Sequence, residues 1–79
     1  METLTIKENI SDVLKSILGH NNFEMRDELT AKDVDGWDSL SHMMIITKIE
    51  EAFNIKFKLR DLNKLKNMGS LVAVIQSKI

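Results

Sequence analysis

Ile6, Ile10, Val13, Leu14, Ile17 and Leu18 recur at steps of three and four, the stripe of an amphipathic helix. Thr5, with Glu8 three residues on, reads as a capping box at its start. Gly19 predicts its end, because glycine enters the left-handed conformation without strain. Residues 20–37 then hold few apolar side chains (Phe23, Met25, Leu29, Val34, Trp37) among many charges. They predict a long loop with room for one turn of helix, pinned to the core by Phe23 and Leu29. Loops of this length are uncommon in compact domains and often functional.

Asp38 is a good N-cap, and a helix from Ser39 to about Phe53 is expected after it. Ile55, Phe57 and Leu59 alternate with lysines and imitate a strand, but no second strand-like segment exists to pair with it. The expectation is an extended loop that sends Ile55 and Phe57 inward, followed by a short helix around Leu59–Leu65. Asn67 can cap a last helix whose buried stripe is Met68, Leu71, Val72, Ile75 and Ile79, with Gly69 weakening its first turn. The fold class is therefore all-α: a four-helix bundle with a long first loop and a short third helix, residues 1–79 forming one domain.

The second predicted helix has two apolar faces. At about 100° per residue, Ile45, Ile46, Ile49 and Phe53 share the core side. Leu40, Met43 and Met44 fall roughly opposite, with Glu50 and Glu51 near the edges. A surface helix rarely turns three large apolar residues to water. Such a cluster with an acidic rim points to a partner-docking face, the alternative being a patch packed under the long loop or against a second copy, and methionine suits a face that adapts to several partners. Ser39 lies at the first helical position, between the faces, where backbone N–H groups lack internal partners. A phosphate esterified there is favoured by roughly 0.3–1 kcal/mol, although on its local setting Ser39 reads first as an ordinary first-turn polar residue.

Seventy-nine residues bury only about 60% of the unfolded surface, which scales to a stability of about 4–12 kcal/mol. There is no cysteine, so disulfide, zinc-thiolate and catalytic-thiol chemistry are excluded. A net charge of −1 excludes general nucleic-acid binding. Met1-Glu2-Thr3-Leu4 does not open a signal peptide, and the longest apolar run, Met43 to Ile46, is too short to span a bilayer. A cytoplasmic monomer without membrane insertion is expected. Charge is uneven: Glu24, Asp27, Glu28, Asp33, Asp35 and Asp38 precede the middle, whereas Lys56, Lys58, Arg60, Lys64 and Lys66 follow it.

Gly36-Trp37-Asp38-Ser39-Leu40 resembles the attachment motif of acyl carrier proteins, whose core is Asp-Ser-Leu at the start of the second helix. The tripeptide alone is common; its setting after one amphipathic helix and a long loop, in a chain of the family's length, is specific. Ile49-Glu50-Glu51-Ala52-Phe53 and the following Asn54-Ile55-Lys56-Phe57 are similar to the family as well, so the likeness runs from Ile6 onward. It implies that Ser39, beside Asp38, receives 4′-phosphopantetheine from coenzyme A through a separate phosphopantetheinyl transferase. The arm's thiol then carries acyl groups as thioesters, exchanged with acyl- or aminoacyl-loading and acyl-transfer enzymes. For a fatty cargo, the expected groove lies below Ser39, lined by His42, Ile46, Ile49, Phe57, Leu62 and Leu65. One departure concerns the pathway. Ser41, Met44 and Lys48 dilute the acids that fatty-acid-synthesis carriers place on this helix, which leans toward a specialised pathway or an aminoacyl cargo.

Other chemistries fit worse. Asp38, Ser39 and His42 do not form a hydrolase, because no strand-to-helix elbow or oxyanion site accompanies them. His20 and His42 show no metal-ligand spacing. An unmodified helical interaction module is the remaining alternative; it keeps the apolar patch but has no need of Ser39.

Overall fold

Helix α1 spans Thr3–Leu18 and buries Ile6, Ile10, Val13 and Leu14 in a computed structural model that describes residues 2–79, with Met1 outside the described residues. Its start differs from expectation. Glu2 is the N-cap, without a side-chain cap bond, and Thr5 and Glu8 lie inside the helix rather than boxing its end. Nothing in Thr3-Leu4-Thr5 breaks a helix, and each residue added to an existing turn gains a hydrogen bond. The Ile6 N–H accordingly donates to the Glu2 carbonyl at 3.0 Å. Gly19 closes the helix at φ 76°, as predicted.

The long loop is held by its own contacts. Leu29 and Val34 are buried, and Phe23 and Met25 pack partly buried against the core. A single 3-10 turn forms at Ala31–Asp33, capped by Asp33 Oδ2, which accepts from the Thr30 N–H at 3.1 Å. His20 joins the loop's two ends: Nε2 bonds the Asp35 carbonyl at 2.6 Å while Nδ1 accepts from the Asn22 N–H at 3.0 Å.

Helix α2 spans Ser39–Phe53, as expected, and buries Ile45, Ile46, Ile49 and Phe53. Asn54 ends it in the left-handed region at φ 54°. Residues 55–58 run extended without pairing, with Ile55 buried and Phe57 half-buried against the core. Helix α3 is shorter than expected, Leu59–Leu62. Beyond it the chain turns through three-residue bonds, Lys64 N–H to Asp61 and Leu65 N–H to Leu62. The side chain of Asp61 accepts from the Lys58 N–H and from Lys78 Nζ, both at 2.8 Å, so α3 is tied to the far end of the next helix.

Helix α4 spans Met68–Lys78, with Asn67 as N-cap. It buries Met68, Leu71, Val72 and Ile75 as predicted, and Val74 besides. Ile79 does not continue the stripe. The helix ends at Lys78, and Ile79, just past it, is 47% exposed. The first N–H groups of α4 find partners in the long loop: Met68 donates to Leu29 at 2.7 Å and Gly69 to Asp27 at 2.9 Å. Among the described residues the architecture is four α-helices around one core, supplied by α1, α2 and α4 with Leu29, Val34 and Ile55 added from the loops.

Candidate functional site

Gly36, at φ 85°, turns the loop into the start of α2. There Asp38 and Ser41 cap one another. Asp38 Oδ1 accepts from the Ser41 N–H at 2.9 Å, and Ser41 Oγ accepts from the Asp38 N–H at 2.8 Å. The Ser41 hydroxyl donates in turn to the Gly36 carbonyl at 2.6 Å. The Ser41 N–H, and then its hydroxyl, hold the Asp38 carboxyl below the usual carboxylate range. Asp38 therefore fixes the helix end as a carboxylate. Ser41, read from the sequence only as a missing acid, is its capping partner.

Ser39 stands exposed at the first position of α2, on the wall of a surface pocket with Ala31, Trp37, Asp38, His42 and Met43. Among the described residues its hydroxyl has no hydrogen-bond partner, in contrast to Ser41. One turn along, His42 is half-buried against Trp37. The indole N–H of Trp37 donates to His42 Nδ1 at 3.0 Å, and the two rings stack 24° from parallel with centroids 6.1 Å apart. No periodicity pointed to this pair, because residues five apart on the chain follow neither helix nor strand period.

The outer face of α2 is as expected. Leu40 is 75% exposed, Met43 55% and Met44 51%, and they share a shallow depression with Thr47, Lys48 and Glu51. Glu51 sits at the rim, 3.9 Å from Lys48. Glu50 faces another way: its Oε2 accepts from the Phe57 N–H at 2.8 Å and anchors the extended segment. That bond holds the chain after α2.

The expected groove is only partly assembled. His42, Ile46 and Leu65 line an apolar cavity of about 60 Å³ together with Trp37, Leu29 and Leu71. Ile49, Phe57 and Leu62 do not line it. Ile49 is wholly enclosed in the core, and Phe57 packs on the core beside Ile55. The cavity opens toward the long loop and α4 instead of α3. Alternation of Phe57 and Leu59 could not reveal this, because the loop residues that replace them lie far away in sequence.

Residues 5–75 match the family described as phosphopantetheine attachment site. The acyl carrier protein of Streptococcus pneumoniae is 33% identical over 73 residues, 92% of this chain and 95% of that protein. The chain belongs to the acyl carrier protein family. The polyketide biosynthesis acyl carrier protein AcpK of Bacillus subtilis is 35% identical over 71 residues, 90% of this chain and 82% of that one. The solution structure of the holo acyl carrier protein from Geobacter metallireducens superposes with a TM-score of 0.84 at 34% identity, covering 92% of this chain and 84% of that one.

Membership settles the class of activity. An acyl carrier protein is a carrier and not an enzyme, and covalently attached phosphopantetheine is its cofactor. The residues around the start of α2 suit that group: an exposed, unbonded serine hydroxyl stands beside backbone N–H groups that favour a phosphate. Among the described residues no helix is long and apolar enough to cross a membrane, and no cluster of histidine and carboxylates could hold a metal.

Proposed function

We propose that Ser39 is the attachment serine and that this carrier presents acyl thioesters to the enzymes of a specialised pathway. The observation that carries the attachment is the free, exposed Ser39 hydroxyl within Asp38-Ser39-Leu40, at the opening of a capped helix. Asp38 contributes by ordering that helix end. The attached arm supplies a thiol, whose thioesters are readily attacked at the carbonyl and have relatively acidic α-protons. Tethering gives the cargo an effective concentration of order mM at a docked enzyme.

Leu40, Met43 and Met44 form the face that a phosphopantetheinyl transferase and the acyl-loading enzymes would cover. The specialised pathway is favoured by that face's apolar character, where Glu51 is balanced by Lys48, and by the likeness to a polyketide-biosynthesis carrier. The test is intact mass before and after incubation with coenzyme A and a broad-specificity transferase. One phosphopantetheine addition is expected in the wild type and none in Ser39→Ala, whose helical circular dichroism should be unchanged. Labelling that persists in the alanine variant would overturn the assignment.

A further inference from the structure

Ala31, Trp37 and His42 line both the surface pocket beside Ser39 and the apolar cavity behind it. They are the wall between the two. Trp37 is its widest member, and its indole is held by a hydrogen bond to His42 on α2. Trp37 itself belongs to the loop, one residue after Gly36, whose positive φ marks the turn. Of the polar residues behind the wall, Thr30 Oγ1 donates to Asp33 and Asn67 Oδ1 accepts from the Ser70 N–H, while Lys66 is exposed at the cavity's edge. The apolar side chains that would meet an incoming chain are Leu29, Ile46, Leu65 and Leu71.

We propose that Trp37 is the gate between the Ser39 pocket and this cavity, and that its pairing with His42 sets the shortest acyl chain the carrier can shelter. The inference rests on Ser39 being the attachment site. At about 60 Å³, the cavity is well below the roughly 300–1,000 Å³ of a small-molecule site, so entry requires the wall to move. Displacing Trp37 and its hydrogen bond is a fixed cost. The gain from burying the cargo grows with apolar area, and so with each added methylene. A fixed cost against a growing gain produces a chain-length threshold: acetyl stays outside and a longer chain enters. The proposal also fixes the route, past Trp37 and beneath the long loop, away from Phe57 and Leu62.

Trp37 is the only tryptophan in the chain, so its fluorescence reports the gate directly. Holo, acetyl, butyryl and octanoyl forms are prepared of the wild type, Trp37→Ala and His42→Ala, each melting temperature being compared with the same variant's holo form. Octanoyl is expected to raise the wild-type melting temperature by several degrees and shift the Trp37 emission, while acetyl and butyryl do neither. In both variants butyryl as well as octanoyl should raise it, and acetyl should not. Octanoyl stabilisation without a change in Trp37 emission would overturn the gate, as would a threshold unmoved in the variants or no octanoyl stabilisation in any protein. Peptide mapping separates the two readings. An arm found anywhere but Ser39 refutes the attachment and the gate with it, whereas an arm on Ser39 with an unmoved threshold refutes the gate alone.

Discussion

Ile49 and Met44 lie five positions apart on α2, about 140° around its axis, and one is wholly enclosed while the other is half exposed. Ile49→Ala removes buried methylenes from a packed core and should cost about 2–5 kcal/mol, a large share of a total near 4–12 kcal/mol. Met44→Glu should change stability by less than roughly 0.5 kcal/mol yet slow phosphopantetheine transfer if this is the proposed docking face, because a carboxylate there must lose its water. Equal losses in denaturant melts, or unchanged transfer kinetics, would count against these roles. Both positions were legible in the sequence, since a helix that repeats every 3.6 residues sorts its side chains by face. Glu50 and Ser41 were not. Their partners, Phe57 and Gly36, are backbone groups brought near by the turns at each end of α2, and no side-chain pattern encodes those.

Among the elements, α4 shows where local propensity misleads. Gly69 in a helix's first turn should be improved by alanine, by about 1 kcal/mol. Its N–H, however, donates to the Asp27 carbonyl, and an added Cβ would lie 3.1 Å from Asp27 Cβ and 3.3 Å from that carbonyl oxygen. The loop cannot retreat freely, because Met68 holds Leu29 two residues further on. Gly69→Ala should therefore lower the melting temperature and speed amide exchange at Met68 and Gly69; a rise would show that the loop yields. The sequence marked Gly69 as a weakness because the loop's approach is a tertiary event. Boundaries failed for similar reasons. Helix α1 starts early because nothing stops it, and α3 gives way after Leu62 to turns closed by three-residue bonds. The extents of α2 and the positions of Gly19 and Asn67 were readable because each boundary has its own cap chemistry.

Taken as a whole, the molecule uses aspartates to cap three of the five helical elements among its described residues. Asp33 caps the 3-10 turn, Asp38 caps α2 and Asp61 caps α3, whereas α1 has no side-chain cap and α4 uses the amide of Asn67. All three carboxyls are held below the usual aspartate range. The first cause for Asp33 is the Thr30 N–H, for Asp38 the Ser41 N–H, and for Asp61 the bond from Lys78 followed by the Lys58 N–H. Each group therefore binds its proton more weakly in the native state than in the unfolded chain, where aspartate titrates near about 3.9. The stability they contribute is complete above that value and is lost as pH falls through the native values. Melting temperature should hold level from pH 7 to about 5 and fall below about 4. The loss should begin at the capped segments: amide exchange should quicken first in residues 30–41 and 58–65, before α1 and α4. Asp61→Asn should melt lower at pH 7, since Lys78 loses its partner, and should decline less steeply in acid because one of the three titrating caps is gone. Parallel acid curves for the variant and the wild type, or exchange that quickens first in α1, would show that these caps do not govern the acid response.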